Sequence, residues 1–555
     1  MHSYIKTNIK VWSKDHGLMK TLVTEIKLWS NNEKFGLAFF FIKNMSQDTF
    51  IPSEKLRELA KDYPCQSFGL PEDCLESRVN EYVELFKEDI LSKTNEIIDA
   101  EHHIAHLRVD IDEMWRIYNN TPRELIMWIS ESLAAIRGML TDKRLETFVV
   151  YPLDVLVFVI YMARCFGHTR ADKIVQWYRQ YNLALQFLIP GIPSPKHRLS
   201  VTTINTVMRM ISEEQMEQLL FSYFTAAKEL LHLLMETEIK RYRDANNFKH
   251  VIALDGQELK ASFQRGEESR RRKGAIGVTA YDTTTNQALA ATRVQNKNNE
   301  IVGILRILPN IDVRGKLISS DALNTVAKIS EAVINSGADY LFCIKANGGN
   351  KKLFKHTKEL FNREMAQSNN QIIRAPTLTE KAHGRLDQYD ICILPACLLP
   401  LDLQDLHKGL QTLVWYTKTS IRLVNGVPDD AHSSTSNRFY ICSLPFSTET
   451  LNQIKFSILD YWSIESGHHG PLDNKRLFDQ DSIQSCNENY LGNSITLNKL
   501  AYNFISYKRA MMAVASKNKK PPTFENVCKH YADRQSMISG PISLLLDLYE
   551  YFNQH

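Results

Sequence analysis

Apolar residues recur at three- and four-residue spacing along the first part of the chain, which predicts α-helices. Residues 54–63 and 76–107 show the pattern most clearly, with charged residues on the opposite face. The second stretch fits either the wall of a helical bundle or an arm that contacts DNA or a partner.

Further helices are expected from about residue 153 to 245, with a proline-rich turn at residues 190–195. Ser200 follows this turn, and we expect it to cap the helix that starts after it. The order helix, turn, helix, with Lys196 and Arg198 nearby, fits a helix-turn-helix reader of DNA. A plain helical hairpin gives the same pattern, so both interpretations stay open.

The pattern changes at His250 to short runs of β-branched and other apolar residues, which predict strands. A helix ending at Gly337 separates the last two of these runs. A strand-rich unit that becomes strand–helix–strand indicates an α/β core. The runs lie at residues 251–255, 275–282, 288–294, 316–321 and 339–345.

After Lys345 the runs at residues 389–396, 413–426 and 438–446 are typical of antiparallel strands, and helical spacing resumes near Leu451. The most apolar run, residues 149–167, contains charged residues and a proline and is short for a bilayer. We therefore expect a buried core helix and no membrane partner.

Composition narrows the class of protein only modestly. A chain of 555 residues exceeds one hydrophobic core, and 67 basic against 63 acidic residues leave a net charge of +4. Binding to nucleic acid would therefore require clustered basic residues. Nine scattered cysteines without a C-x-x-C pair, and no apolar leader, favour reduced thiols and a cytoplasmic location.

Two acidic residues lie at the ends of expected core strands. Asp255 ends the first core run (251–255) and precedes Gly256. Asp321 ends the fourth core run (316–321) and precedes a helix. Glu465 lies in a helical segment, beside a face formed by Tyr461, Ile464 and His468. Composition and spacing alone would not select these three from 63 acidic residues. Gathered together, they would suit two-metal phosphoryl transfer.

A series of motifs in order resembles the bacterial insertion-sequence transposases of the ISAs type, also known as H-repeat-associated proteins, which belong to the DDE class. The resemblance covers about residues 153–509. It rests on VIALDGQELKAS (251–262), KNNEI (297–301), ISSDAL (318–323), GADYLFCIKANG (337–348), HGRLD (383–387), YWSIES (461–466), NEN (487–489) and LNKLAYNFISYKR (497–509).

The resemblance implies a ribonuclease-H-like α/β catalytic core, with a β-rich insertion before the glutamate helix. The hydrophobic spacing predicts mostly α-helical domains before the core. It implies that Asp255, Asp321 and Glu465 are catalytic and bind two Mg²⁺ ions, with Mn²⁺ as a substitute. The expected regions are a helical region of unknown role (1–150), a helical DNA-binding region with a candidate helix-turn-helix (151–245), the first part of the core (246–345), the insertion (346–450), the C-terminal part of the core (451–515) and a helical tail (516–555).

The sequence departs from the family pattern just after Glu465. Gly467, Gly470 and Pro471 are poor helix residues, and a proline inside a helix costs about 3 kcal/mol. We therefore expect the helix to end or kink at this point.

Basic and polar residues around the acids are candidates for DNA contact, although hairpin tips and polar loops give similar patterns. The candidates are Arg270, Arg271, Arg272, Lys273, Lys297, Lys345, His383 and Arg385.

The leading functional prediction is a DNA transposase that binds the terminal inverted repeats of its element, cleaves there and joins the ends to target DNA. Because two ends must meet, a homodimer on double-stranded DNA is expected, associated with the bacterial nucleoid. The alternatives are an inactive or domesticated derivative that only binds DNA, and a metal-dependent nuclease without strand transfer.

Overall fold

The computed structural model describes the greater part of the chain from residue 123 onward, and little before it. The described residues are 87–96, 121, 123–219, 246–262, 274–295, 299–346, 348–367, 371–382, 384–424, 427–515, 522–532 and 539–553. The expectations for residues 54–63 and for most of 76–107 lie outside them. Two compact units are present, residues 1–89 with 109–129 and residues 90–108 with 130–555, and the second contains the sheet.

The described strands form one mixed sheet. In chain order they are β1 (Val251–Glu258), β2 (Ile276–Asp282), β3 (Gln287–Val294), β4 (Leu317–Ser320), β5 (Asp339–Ile344), β6 (Ile373–Arg374), β7 (Leu378–Ala382), β8 (Arg385–Pro395), β9 (Thr412–Val424) and β10 (Val427–Cys442).

The first five strands lie in the order β3-β2-β1-β4-β5. Strands β1, β2 and β3 pair antiparallel, whereas β1, β4 and β5 pair parallel. This is the ribonuclease-H-like core that the sequence predicted. The predicted strand runs between residues 251 and 345 are confirmed.

The β-rich insertion continues the same sheet. Strand β10 pairs antiparallel with the edge of β5, and β9, β8 and β6 follow outward, with β7 on β8. The predicted antiparallel strands after Lys345 are therefore confirmed. The long β9–β10 pair projects beyond the core, and Val424 and Val427 near its tip are exposed.

The described helices cover both faces of the sheet and build a helical region beside it. Helical residues are also described at 87–96 and 213–219. The helices used below are α1 (Arg123–Met139), α2 (Leu153–Cys165), α3 (Ala171–Leu188), α4 (Val201–Met210), α5 (Glu300–Ile307), α6 (Ala327–Asn335), α7 (Lys351–Met365), α8 (Leu401–Gln404), α9 (Thr448–Tyr461), α10 (Gly470–Asp473), α11 (Glu488–Ala515), α12 (Phe524–Ala532) and α13 (Ser539–Asn553).

Side-chain alternation along β1 places it between two apolar layers. Ile252 and Leu254 pack into the layer that contains residues of α5, α6 and α7. Val251 packs into the opposite layer with residues of α9. Because successive strand residues point to opposite faces, Asp255 is expected on the α9 side.

Helix α2 is buried along all of its length, as the sequence predicted for the apolar run. Arg164, on this helix, donates hydrogen bonds to the Asn498 side chain and to the Ser494 carbonyl oxygen of α11. Ser200 caps α4, as predicted, by accepting a hydrogen bond from the Thr203 N–H at 3.1 Å. Among the described helices, none is long and apolar enough to cross a membrane.

Close packing between α5 and the sheet predicts an asymmetry between two glycines. A Cβ added to Gly303 would lie 2.8 Å from a methyl of Val278, whereas one on Gly138, in α1, would meet nothing within 4 Å. We expect Gly303→Ala to lower the free energy of unfolding by about 1–3 kcal/mol through overpacking. Gly138→Ala should raise it by about 0.5–1 kcal/mol. Urea unfolding measures both, and equal stability of the two variants would contradict this packing.

Candidate active site

The two predicted aspartates lie side by side at the carboxyl edge of neighbouring parallel strands. Leu254 of β1 pairs with Ser320 of β4, and Asp255 and Asp321 are the next residue of each chain segment. Neighbouring strands are about 4.8 Å apart, so the two backbones are adjacent here.

Backbone N–H groups hold both carboxylates. Asp255 Oδ1 accepts from the Gly256 N–H at 2.9 Å. Asp321 Oδ1 accepts from Leu323 and Asn324 at 3.0 and 3.1 Å, which closes the turn after β4. Hydrogen bonds of this kind stabilise an ionised carboxylate and fix its direction.

Tyr461, at the end of α9, interacts electrostatically with all three acids. Its side chain is buried, and burial raises the pKa of its hydroxyl far above the usual range. The negative charges of Asp255, Asp321 and Glu465 raise that pKa further, in this order. The charges of all three carboxylates therefore act on one buried phenol.

The acids do not form a finished metal-ligand set. Within the described ranges, no three His, Cys, Asp or Glu side chains are grouped closely enough to hold a metal ion. The donor chemistry nevertheless suits Mg²⁺, since carboxylate oxygens are hard ligands and Mg²⁺ takes few protein ligands. Asp255 and Asp321 would supply the fixed part of such a site, and Glu465 is exposed.

Glu465 lies in a turn of π-helix, Ile464–His469, between α9 and α10. The Gly470 N–H bonds to the Glu465 carbonyl oxygen, five residues back. The helix therefore does not end after Glu465. It changes type, which is one of the forms that a local distortion takes at functional sites.

Pro471 explains part of this geometry. It has no N–H to donate to the carbonyl of Gly467, four residues earlier. The Tyr502 hydroxyl of α11 donates to that carbonyl at 2.8 Å and satisfies it from another helix. The predicted buried face beside Glu465 is confirmed, because Ile464 and His468 are buried together with Tyr461.

Behind Asp255, a polar network joins the π-helical turn to β1. His469 Nδ1 lies 3.6 Å from Asp255 Oδ2. Gln257 Nε2 donates to the His469 carbonyl at 3.2 Å and to Asp473 Oδ1 at 2.8 Å. The segment that follows Glu465 is thus fixed to the strand that carries Asp255.

A buried lysine completes this network. Lys499 of α11 is fully buried, and its Nζ lies 2.8 Å from Nε2 of His468. Burial lowers the pKa of Lys499 to about 7, against the opposing charges of Asp473 and Asp255. Burial, with the charges of Lys499 and His469, also lowers the pKa of His468 well below its usual value.

Sequence reasoning did not single out Lys499. The available signal was its position on a helix face shared with the buried Ile495 and Tyr502, where a charged residue is uncommon.

A fourth carboxylate lies next to the aspartates. Glu300, the first residue of α5, is buried and accepts a hydrogen bond from the Asn324 side chain at 3.2 Å. A Cβ added to Gly256 would lie 2.4 Å from Glu300 Oε1, so only glycine fits there without displacement. Asn324 also donates to Asp321, so Glu300 supports the edge that carries both aspartates.

The predicted DNA-contacting residues separate into three groups. Arg270, Arg271, Arg272, Lys273, Lys297 and His383 lie outside the described residues. Lys345 is exposed and directly follows β5, beside the acids. Arg385 is also exposed but opposes Arg422 near the tip of the insertion. The strand pairs Arg438–Tyr416 and Tyr416–Ile391 put Ile391 of β8 level with Lys345. Arg385 lies six residues along β8 from Ile391, which is about 20 Å, so the structure does not place it at this edge.

Residues 246–455 match the family described as Transposase DDE domain. Over this range the chain is similar to DDE transposases. The match agrees with the resemblance that the motifs indicated, and it includes both aspartates but ends before Glu465.

Curated relatives carry the same likeness. The chain is 31% identical over 232 residues to "Putative protein YbfL" of Escherichia coli K12, covering 41% of this chain and 57% of YbfL. It is 30% identical over 228 residues to "H repeat-associated putative transposase YhhI" of the same strain, covering 40% and 56%. The chain thus spans somewhat more than half of the length of the relatives it matches.

A solved structure of the piggyBac transposase synaptic complex with hairpin DNA superposes on 77% of this chain and 82% of its own chain. The sequences are 10% identical and the TM-score is 0.32, which is too low to define a shared fold.

The buried lysine predicts a specific pH dependence of stability. In the unfolded chain Lys499 loses its proton near pH 10.5, and in the folded protein near pH 7. Between these values the unfolded state binds more protons, so the Lys499 contribution to the free energy of unfolding rises with pH. Below pH 7 both states are protonated and the full cost of burying the charge remains.

We therefore expect Lys499→Met to raise stability most near pH 7 and to reduce the gain seen between pH 7 and pH 10. Urea midpoints across this range measure the effect. Lys352→Met, at an exposed lysine, is the control and should follow the wild type. A Lys499→Met profile parallel to that of the wild type would show that the lysine is neutral or solvated throughout.

Proposed function

We propose that this protein is a DNA transposase in which Asp255, Asp321 and Glu465 bind two Mg²⁺ ions and carry out DNA cleavage and strand transfer. The observation that carries the proposal is the adjacency of Asp255 and Asp321 on paired parallel strands, within residues that match a transposase DDE domain. The charge of Glu465 acts on the same Tyr461 hydroxyl as the charges of the two aspartates. When bound, such ions activate the attacking water or 3′-hydroxyl and stabilise charge on the departing oxygen.

The three acids would have different roles in holding the ions. Asp255 and Asp321 are fixed by backbone hydrogen bonds, so they provide ligands that need little reorganisation. Glu465 is exposed on the π-helical turn, and its side chain would complete the ligand set by turning toward the aspartates. Tyr461 and the buried layer beneath it exclude water from the protein side of the acids.

The DNA partners in this proposal are the terminal inverted repeats of the element and the target duplex, held by a homodimer. Phosphate contacts would fix the position of the DNA, and base contacts would select the ends. The proposed DNA-binding residues are Arg270, Arg271, Arg272, Lys273, Lys297, Lys345, His383 and Arg385.

The catalytic roles predict the effect of three neutral substitutions. Asp255→Asn, Asp321→Asn and Glu465→Gln should each lower Mg²⁺-dependent cleavage by at least about 100-fold, because losing even a residue that supports a metal ligand costs about 10–100-fold. The assay uses duplexes that carry the inverted repeats flanking the coding region, and follows both cleaved and joined products. Mn²⁺ should replace Mg²⁺, and EDTA should abolish the reaction.

Asp312→Asn is the matched control, because Asp312 is an acid that pairs with Arg314. Both residues precede the start of β4, whereas Asp321 follows its end. It should cleave like the wild type. Equal cleavage by Asp255→Asn and the wild type would exclude the catalytic assignment. Cleavage without joined products would favour a nuclease, and DNA binding without cleavage would favour a derivative that has lost its chemistry.

A further inference from the structure

We propose that Lys345 and Arg438 form a basic pair that binds a DNA phosphate beside the three acids, and that Trp462 holds Arg438 in place. This inference rests on the proposed function, since it names the part of the same site that would receive the DNA backbone. Arg438 and Trp462 belong to two different parts of the chain, strand β10 of the insertion and the end of the glutamate helix.

The sheet register brings the two basic residues together. Ile344 at the end of β5 pairs with Phe439 of β10, so Lys345 and Arg438 occupy the next opposed positions. The preceding residues on their own face are Cys343 and Tyr440, which pack in the layer under α9. Side-chain alternation therefore directs both basic side chains toward the face that carries Glu465.

The electrostatic surroundings of Cys343 agree with this placement. Burial raises the pKa of the Cys343 thiol to about 11, the charges of Lys345 and Arg438 lower it, and the charge of Asp321 raises it. One buried thiol thus lies within reach of both basic residues and of one catalytic aspartate. The basic pair and the acids share one edge of the sheet.

Arg438 is held by an aromatic contact that leaves its hydrogen-bonding edge available. Its guanidinium carbon lies 4.0 Å from the centre of the Trp462 ring. Stacking occupies a face of the planar guanidinium, whereas its N–H groups point outward in the plane. That arrangement suits two parallel hydrogen bonds to phosphate oxygens. Trp462 is three residues before Glu465, so the stack ties the phosphate contact to the glutamate.

The charges of the basic pair are not neutralised within the described part of the chain. Neither Lys345 nor Arg438 has an ion-pair partner there, whereas the buried Arg293 pairs with Glu213 and Glu488. Three carboxylates alone would repel a phosphodiester. An unpaired lysine and arginine beside them supply local attraction for the DNA strand.

Salt-dependent DNA binding tests the pair separately from catalysis. Binding of a labelled duplex of arbitrary sequence is followed by fluorescence anisotropy in EDTA over a series of NaCl concentrations. Each duplex phosphate contact contributes about −0.9 to the slope of log affinity against log salt concentration. Lys345→Gln and Arg438→Gln should each reduce that slope by about this amount, whereas Arg438→Lys should keep most of it.

Arg314→Gln is the control, since it also removes one positive charge. Arg314 precedes the start of β4, at the end of the strand away from the acids. Its slope should equal that of the wild type. Trp462→Ala should weaken binding in the wild-type background but have little effect in Arg438→Gln, because the ring acts through the arginine. A purely structural role for the stack would lower stability without changing the salt slope.

Slopes of Lys345→Gln and Arg438→Gln that match Arg314→Gln would overturn the basic pair, even if the wild type cleaves DNA. Wild-type binding with the expected slope changes but without cleavage in Mg²⁺ would overturn the proposed function and retain the pair. Inorganic phosphate at matched ionic strength should compete weakly. Competition at low concentration would overturn the DNA assignment in favour of a free anion.

Discussion

The parallel pairing of β1 with β4 is the constraint on which the site depends. A shift of one residue in this register would turn every side chain of one strand to the other face and separate the two aspartates. Burial fixes the register, because Ile252 and Leu254 fill one apolar layer while Val251 fills the other. The adjacency of Asp255 and Asp321 is therefore maintained by hydrophobic packing several residues away from the carboxylates.

The insertion belongs to the same β-sheet as the core. Strand β10 pairs with the β5 edge of the core, so the sheet is continuous from the catalytic strands to the outer hairpins. Phe439 and Ile441 pack in the same apolar layer as Ile344 and Phe342 of β5. The position of Arg438 relative to the acids is thus set by core packing rather than by a loop. An insertion attached in this way can supply residues to the site with little loss of conformational entropy on binding.

Local patterns predicted the strands, the cap at Ser200 and the buried face beside Glu465, because each depends on neighbouring residues. Motif resemblance selected the three acids, which spacing alone could not do. The π-helical turn could not be predicted from the sequence, because the glycines and Pro471 predict an interruption of the helix but not its form. Its stabilising partner, Tyr502, is 35 residues away on another helix. The sequence did not point to Arg438 either, because its position beside Lys345 depends on how β10 pairs with β5.

The balance of charge at the site supports the proposal that it binds divalent cations. The charges of three carboxylates act on Tyr461, and the charges of Asp473 and Asp255 act on the buried Lys499. Burial lowers the pKa of Lys499 to about 7, so at neutral pH it is only partly protonated and offsets the acids incompletely. Divalent cations held by the three acids would offset their charge more fully than the lysine does, and the basic pair lies at the same end of the strands.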